Sequence, residues 1–356
     1  MIYFDVTKSG AARHQSGLMR LSTRLRQELG AAVAAVTWDA RQGIWRRADG
    51  RAPVALAPAD WLFTAELFSE AERPGWWGFL RRRPCRLAAL FADAIPLRHP
   101  QITWPQSVAR HPEYLKMLAA FDRVWAISEE SRRDLEGFWR WQGAEARAAV
   151  ETIALGADFD GAPRAPRAAP GGGASLLCVG ILEPRKNQQF LLDVCEDLWA
   201  AGAEFSMHVV GRVNPHFGRP VAARVRALAA AGWPVTHHVA GSDALLDRLY
   251  AGARATAFPT IAEGCGLPVL ESLWRGRPCV CSDLPVLREI TAGGGCRLAP
   301  PNDRAAWAAA LRAVLTDDAE WARLAAEAAS RPLPVWADTA RTIAAVAGPV
   351  PNSAQA

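Results

Sequence analysis

Hydrophobic positions in this chain alternate between short apolar runs and longer stretches with helical spacing. Ile2–Val6 is an apolar run that predicts a strand, and Thr7–Gly17 is a polar loop that contains two glycines. Leucines then recur at positions 18, 21, 25 and 29, which is the spacing of an amphipathic helix over Leu18–Leu29. A strand, a glycine-containing loop and a helix form the opening unit of a Rossmann-like domain.

The second half of the chain repeats this pattern. Ser175–Val179 predicts a strand, and Gln188–Trp199 predicts the helix that follows it. Between the halves lies GAPRAPRAAPGGGA, residues 161–174, whose proline, alanine and glycine content is typical of a linker. The pattern predicts an α/β protein with two Rossmann-like domains, residues 1–160 and 175–334, followed by a terminal helix over 335–347.

One further strand-loop-helix segment, Phe258–Glu271, carries the most specific chemistry. In FPTIAEGCGLPVLE the loop contains Glu263, Gly264 and Gly266, and the following helix contains Glu271. Glycine lets the backbone approach a ligand, and the N–H groups at a helix start favour a phosphate. Carboxylates accept hydrogen bonds from sugar hydroxyls, so the segment predicts a nucleotide-sugar site. The alternative is that Gly-x-Gly before a helix binds nothing and that Glu271 only stabilises the helix start.

Composition excludes several classes of protein. The chain has 356 residues without a run of eighteen uncharged apolar ones, and its N-terminus lacks the layout of a signal peptide, so no transmembrane helix is expected. A formal charge of +5 is modest for this length and does not predict a nucleic-acid partner. The seven scattered cysteines are typical of reduced thiols and favour a cytoplasmic location.

Cys279 and Cys281 form a C-x-C pair without a second pair beside it. The spacing is too close for the usual pair of zinc ligands. We expect the two cysteines at alternate positions of a buried strand, and we predict no metal site.

Several motifs in chain order resemble one known family. They are HQSGLMRLSTRL at 14–25, FADAIPLRHP at 91–100, S-x-x-S-x-x-D at 128–134, LEPRKN at 182–187 and E-x7-E at 263–271. As a set they resemble the retaining glycosyltransferases of family 4. The match is dense from Ser175 to Asp303 and patchy but ordered from Met1 to Phe159. The resemblance implies the GT-B fold, with two facing Rossmann-like domains, a donor/acceptor cleft between them and a last helix that crosses back to the first domain.

The resemblance also implies roles for individual residues. Arg185 and Lys186 would hold the diphosphate of the donor, Glu263 would bind sugar hydroxyls, and Glu271 would bind the ribose. Backbone N–H groups near the helix start would meet the distal phosphate. The donor-binding set implied in this way is Gly17, Arg185, Lys186, Glu263, Gly264, Cys265, Gly266, Leu267 and Glu271.

Catalytic roles are implied for Glu263 and Asp93. Ala92 stands where the family has a histidine that contacts the donor sugar. The implied reaction transfers a hexose from a nucleoside diphosphate sugar to a glycan or lipid-linked acceptor by front-face displacement, as in cell-surface polysaccharide biosynthesis. The nucleotide sugar is a co-substrate, and no metal or other cofactor is implied. Two alternatives remain: a non-catalytic binder of sugar nucleotides or glycans, and an epimerase-like enzyme of the same fold.

The segment ERPGWWGFLRRRPCR at 72–86 combines aromatic and basic residues. Trp76 and Trp77 beside Arg81–Arg83 are typical of contact with an anionic membrane surface, which would suit peripheral attachment to the inner face of a membrane. The alternative is a surface loop whose aromatic side chains pack on their own domain.

Overall fold

The computed structural model describes residues 1–10, 17–158, 164, 174–239 and 243–347. The chain divides into two compact units, of which the first comprises Met1–Gly156 with Pro334–Ala356 and the second Ala157–Leu333. The predicted linker at 161–174 lies outside the described residues except for Arg164 and Ala174. Within the described part of the chain, no helix has both the length and the apolar character needed to cross a membrane.

The first unit is built on a seven-stranded sheet in the order β3-β2-β1-β4-β5-β6-β7. Its strands are β1 Ile2–Asp5, β2 Val33–Asp39, β3 Ile44–Arg47, β4 Trp61–Thr64, β5 Arg86–Phe91, β6 Arg123–Ala126 and β7 Ala149–Thr152. Its first five helices are α1 Gly17–Leu29, α2 Trp76–Arg82, α3 Ile95–Arg98, α4 Pro105–Leu118 and α5 Glu129–Gln142. All neighbouring strands are parallel except β2 and β3, which form an antiparallel hairpin.

The second unit is built on a six-stranded parallel sheet in the order β10-β9-β8-β11-β12-β13. Its strands are β8 Ala174–Val179, β9 Phe205–Val210, β10 Val235–His238, β11 Ala255–Phe258, β12 Cys279–Ser282 and β13 Cys296–Ala299. Its helices are α6 Gln188–Ala200, α7 Arg219–Ala230, α8 Asp243–Gly252, α9 Leu267–Trp274, α10 Pro285–Thr291, α11 Arg304–Thr316 and α12 Asp318–Ser330. This is the strand order of a doubly wound nucleotide-binding fold.

Both sheets are buried on both faces. All four residues of β11 and of β12 are buried, and five of the six in β5 are buried. Central parallel strands covered by helices carry continuous apolar runs rather than alternating ones. The two sheets confirm the predicted α/β class with two Rossmann-like parts.

A last helix, α13 Trp336–Ala344, belongs to the first unit and packs against α1. Trp336 is fully buried, and the Thr339 hydroxyl donates to the carbonyl of Ala154 at 2.8 Å. A Cβ atom at Gly156 would lie 2.2 Å from the Trp336 nitrogen, so only glycine fits at that point. Three short 3₁₀ turns flank other elements, at Gly30–Ala32, Pro100–Ile102 and Pro184–Lys186, and a fourth, Ala345–Ala347, follows α13.

Candidate functional site

The candidate site lies where the strand order of the second sheet reverses. β8 and β11 are neighbours there, and their following loops leave the sheet at the same edge. Ligands of open parallel sheets bind at this point, outside the carboxyl ends of the strands. The first loop carries Arg185 and Lys186, and the second carries Glu263 and the glycines before α9. The topology therefore brings together the two motifs that the sequence placed almost eighty residues apart.

Hydrogen bonds to main-chain carbonyls hold the two loops together. The Ile261 N–H donates to the carbonyl of Arg185 at 2.9 Å. In return, the Arg185 guanidinium donates to the carbonyl of Ala262, also at 2.9 Å. Asn187, in the left-handed conformation with φ 56°, then starts helix α6. Because both loops are fixed at several points, the charged side chains on them have defined positions.

Glu263 is the centre of a charge cluster. Its carboxylate lies 2.8 Å from Nη1 of Arg185 and 2.7 Å from Nζ of Lys186, and it accepts a 2.7 Å hydrogen bond from the Thr260 hydroxyl. Burial alone would raise the pKa of Glu263, but the charges of Arg185 and Lys186 outweigh it and lower that pKa. Glu263 is therefore an ionised acceptor, and the two cations are held side by side.

Lys186 is largely removed from water. Its side chain is 11% exposed, and Nζ lies 4.7 Å from the centroid of the Phe258 ring. Burial lowers the pKa of the Lys186 ammonium, while the charge of Glu263 opposes that shift. A cation in such surroundings acts on an entering anion with little screening by solvent.

Helix α9 begins directly after this cluster, at Leu267. Gly266 precedes it with φ +105°, and a Cβ atom there would lie 2.6 Å from Cδ2 of Leu287. This glycine is therefore required by the conformation of its own backbone and by packing inside the unit. Gly264 and Cys265 are buried, and burial raises the pKa of the Cys265 thiol to about 12. What Cys265 can offer a ligand is its main chain rather than a reactive thiolate.

Glu271 lies on the second turn of α9 and is 2% exposed. The hydroxyl of Tyr250, on α8, donates to Oε2 of Glu271 at 3.1 Å. The guanidinium of Arg275 stacks over the Tyr250 ring at 4.6 Å and pairs with Asp247 at 2.7 Å. Glu271 is thus an oriented, buried carboxylate on the second turn of the helix.

Two predicted site residues, Gly17 and Asp93, belong to the first unit. Gly17 is the exposed first residue of α1, and a Cβ atom there would meet nothing within 4 Å. The Asp93 carboxylate accepts from the Ile95 N–H at 3.0 Å and so stabilises the start of α3. Ala92 offers its carbonyl, which accepts from the Ser131 hydroxyl at 2.7 Å.

His111, which sequence analysis did not single out, lies beside Asp93. It is 4% exposed, and its Nε2 lies 3.0 Å from the Asp93 carbonyl, so that nitrogen carries the donated proton. Burial lowers the pKa of His111 to about 4, and the hydrogen bond to Asp93 opposes this shift only in part. His111 is a neutral residue that fixes the main chain at Asp93.

The pKa of His111 predicts a pH dependence of stability. The folded-state value of about 4 lies below the ordinary value of 6.5, so the unfolded state binds this proton more tightly. The stability due to neutral His111 should fall by about 3 kcal/mol between pH 6.5 and pH 4. Urea unfolding at several pH values should show this loss in wild type and not in His111→Gln. The exposed His216→Gln variant is the control. If the unfolding free energy of His111→Gln fell with pH as it does in wild type, the assignment would be contradicted.

The prediction that Trp76 and Trp77 contact a membrane is wrong for Trp76. Trp76 is fully buried among Trp38, Trp45 and Phe79, and Trp77 is half-buried with its indole N–H on Glu113. Both rings pack against the core of the first unit, as the alternative interpretation of the segment predicted. Of the basic residues, Arg83 is bound to Asp122 at 2.7 Å, and Arg81 and Arg82 are exposed.

Comparison with known proteins gives a family match for the part of the chain that carries this site. Residues 173–317 match the family model of glycosyl transferases group 1. The serotype-specific mannosyltransferase WbdA of Escherichia coli is 29% identical over 224 residues, which cover 58% of this chain and 27% of that protein. O-antigen chain mannosyltransferase B of Escherichia coli is 41% identical over 83 residues, or 23% of this chain and 21% of that protein. The aligned part thus spans about a quarter of the length of these relatives.

Solved structures resemble the chain over nearly its whole length. Sucrose-phosphate synthase from Thermosynechococcus elongatus has a TM-score of 0.70 at 17% identity and covers 97% of both chains. WaaG, a glycosyltransferase involved in lipopolysaccharide biosynthesis, has a TM-score of 0.64 at 15% identity, with coverage of 98% of this chain and 100% of WaaG. The chain therefore has the GT-B fold, and its residues 173–317 match the glycosyl transferases group 1 family.

Proposed function

We propose that this protein is a retaining glycosyltransferase that moves a hexose from a nucleoside diphosphate sugar to a glycan or lipid-linked acceptor. The mannosyltransferases among its relatives favour a mannosyl donor and a role in O-antigen-type polysaccharide biosynthesis. Because nucleotide sugars are the co-substrates, we place the activity in the cytoplasm. The observation that carries the proposal is the joining of Arg185, Lys186 and Glu263 at the switch point of the second sheet.

The two cations would stabilise the leaving diphosphate. Negative charge develops on the leaving oxygens as the glycosidic bond breaks, and fixed cations beside them lower the barrier. The N–H groups at the start of α9 add further positive potential on the same side. We propose that these groups supply the charge that a divalent metal supplies in other transferases, so that activity would survive chelation of metals.

Glu263 gives the cluster a second role. It forms ion pairs with both cations in this structure, so a diphosphate that binds must share or replace it. A carboxylate released from two cations is a strong acceptor for sugar hydroxyls. We propose that the donor takes over Arg185 and Lys186 and that Glu263 turns to the transferred sugar.

The test is a binding and turnover comparison across donors. Calorimetry with UDP-, GDP- and dTDP-sugars, in buffer with a chelator, identifies the base and sugar that bind. Mass spectrometry with a glycan acceptor then shows transfer, and the anomeric configuration of the product shows retention. Binding without transfer or hydrolysis would favour a non-catalytic binder, and conversion of the donor without an acceptor would favour an epimerase-like enzyme.

Replacing Glu263 or Glu271 with glutamine should change different properties of the enzyme. Glu271→Gln is expected to weaken the binding of the nucleoside diphosphate itself, because the ribose is present in every nucleotide ligand. Glu263→Gln should leave nucleoside diphosphate binding nearly intact and lower kcat, because its partner is the sugar at the reacting centre. Calorimetry and steady-state kinetics measure the two effects. Equal loss of nucleotide binding in both variants would show that the separate roles assigned to the two glutamates are wrong.

Tyr250 should act as a positioning residue for Glu271. Removing its hydroxyl takes one hydrogen bond away from a buried carboxylate, and a hydrogen bond to a charged group contributes roughly 1.5–3 kcal/mol. Tyr250→Phe is expected to raise the Kd of nucleoside diphosphate by about tenfold or more. Inorganic pyrophosphate lacks a ribose, so its affinity should not change. An equal loss for pyrophosphate would point to general damage to the site instead.

A further inference from the structure

Three cysteines converge on one face of the second sheet. Cys279 and Cys281 are alternate residues of β12 and therefore point to the same face. Strand β13 pairs with β12 so that Cys296 lies directly beside Cys279. The three sulfur atoms all lie within 4.8 Å of one another. The C-x-C spacing alone shows two of these thiols, and only the strand pairing adds the third.

The distances suit an ion held by three sulfurs. With metal–sulfur bonds of about 2.3 Å, trigonal coordination needs sulfur atoms about 4.0 Å apart. The observed separations require a closure of less than about 1 Å, which rotation of the Cys side chains can supply. All three cysteines are free thiols, so no disulfide competes for the sulfur atoms.

The surroundings select the class of ion. Apolar side chains of the same cluster enclose the thiols, among them Leu273, Leu287 and Ala328. Among the residues that the structure describes, no histidine or carboxylate joins the group. Zinc sites are almost always four-coordinate, and hard cations take oxygen ligands, so both fit poorly. Soft ions prefer thiolates, and three thiolates can satisfy those that adopt three-coordinate geometry.

The site has a route of entry and a nearby balancing charge. β13 is the edge strand of the sheet, and Cys296 is only half-buried, whereas Cys279 and Cys281 are buried. The guanidinium of Arg331 donates to the carbonyls of Gly294 and Ile290 at 3.0 and 2.8 Å, close to the segment that leads into Cys296. Three thiolates and a divalent ion carry one net negative charge, which this fixed cation opposes.

We propose that Cys279, Cys281 and Cys296 form a binding site for a soft, thiophilic metal or metalloid ion. Binding of a divalent metal ion breaks three S–H bonds, forms three sulfur–metal bonds and releases three protons to solvent. Binding of arsenite, As(OH)₃, breaks three As–O bonds as well, and the three thiol protons leave with the hydroxyl groups as three waters. Neither reaction changes an oxidation state. The bound ion would clamp the edge strand β13 to β12. This site is independent of the proposed transferase activity, since none of its ligands belongs to the donor-binding set.

The test uses Cd²⁺ and arsenite as probes on the reduced, metal-free full chain. We expect one equivalent of Cd²⁺ to give a thiolate-to-metal charge-transfer absorption and to raise Tm. Replacing any one of the three cysteines with serine should weaken Cd²⁺ binding at least tenfold. Cys195→Ala, a fully buried cysteine in α6 and outside the group, is the matched control and should bind normally.

A second measurement keeps the test valid if a serine variant fails to fold. The ¹¹³Cd NMR shift of the wild-type complex reports the number of sulfur ligands, and three are expected. A shift typical of one or two sulfurs, or the absence of a charge-transfer band, would overturn the proposal. It would also be overturned if a folded triple-serine variant bound Cd²⁺ as wild type does. Zn²⁺ should bind more weakly than Cd²⁺, and the reverse order would contradict the three-sulfur assignment.

Discussion

Replacing both Arg185 and Lys186 with alanine is expected to weaken nucleoside diphosphate binding by between about 10² and 10⁴-fold. Each replacement removes a charge-assisted hydrogen bond to the diphosphate, and such a bond contributes roughly 1.5–3 kcal/mol. Every 1.4 kcal/mol corresponds to about a factor of ten in Kd. The side chains are preorganised by Glu263, so little binding energy is spent on ordering them. Isothermal calorimetry with the nucleoside diphosphate identified in the donor screen measures the change.

The double variant also leaves Glu263 without its counter-ions, so loss of binding has to be separated from loss of structure. A triple variant that adds Glu263→Gln removes the unpaired charge and should restore the unfolding free energy while binding stays weak. The control pair is Arg224→Ala with Arg304→Ala, two partly or fully exposed arginines of the same unit that pair with carboxylates on α6. Unchanged affinity in a folded double variant would refute the diphosphate role.

Arg73→Ala is expected to lower the unfolding free energy by about 3–5 kcal/mol. Arg73 is 1% exposed and joins two buried carboxylates, Asp5 at 2.7 Å and Glu66 at 2.8 Å. Removing one partner of a buried ion pair leaves an uncompensated charge in a medium of low dielectric constant. Its guanidinium also stacks on the rings of Trp76 and Phe68, at 5.2 and 5.3 Å, so packing is lost as well. Urea unfolding followed by circular dichroism measures the change.

Two further variants give this prediction its controls. Arg81→Ala removes an exposed arginine of the same segment and should change stability by less than about 0.5 kcal/mol. A variant that combines Arg73→Met with Asp5→Asn and Glu66→Gln removes the charges together and should recover much of the stability. A loss below about 1 kcal/mol in Arg73→Ala would mean that solvent reaches the cluster.

Glu66 extends this network to the loop that follows β1. It accepts from the backbone N–H groups of Lys8 and Ser9, at 2.9 and 2.8 Å. The buried cluster is therefore also an anchor for the glycine-containing loop at the carboxyl end of the first strand. The sequence pattern shows this loop but not the carboxylate that holds it, because the two are more than fifty residues apart.

Local periodicity explains why much of the fold was predictable. The leucines of α1 and the apolar run of β8 carry their structure in neighbouring residues, and their observed bounds differ from the predicted ones by a single residue. By contrast, β4 is four buried residues without alternation, and α4 contains Pro112 inside the helix. Such elements depend on tertiary packing, so neither a period of 2 nor one of 3.6 marks them.

The segment around Trp76 shows how composition can mislead where spacing is informative. Aromatic and basic residues side by side are typical of a membrane surface, and that was the wrong interpretation for Trp76. Trp76, Phe79 and Leu80 stand at positions i, i+3 and i+4, which is the spacing of one buried helical face. All three are buried in the core of the first unit.

The candidate site was predictable to the extent that its motifs are local. Arg185, Lys186 and Glu263 each follow a strand, and parallel strands end at one edge, so their meeting could be expected. Thr260 and Tyr250 carry no such signal, because an isolated hydroxyl among apolar residues does not show which carboxylate it will face. Cys296 of the proposed ion site also carries no local signal, since its place depends on the register of β13 against β12.

The position of α13 has a consequence for synthesis on the ribosome. The first unit is begun first, yet it lacks α13 until residues 157–333 have been made, and Trp336 fills a site shaped by Gly156. At roughly 5–20 residues per second, those 177 residues take roughly 9–35 s to translate. During that interval the surface of α1 that α13 later covers is open to water or to a chaperone. The second unit is continuous in sequence and can close its core earlier, so the part of the protein that emerges first is the last to be completed.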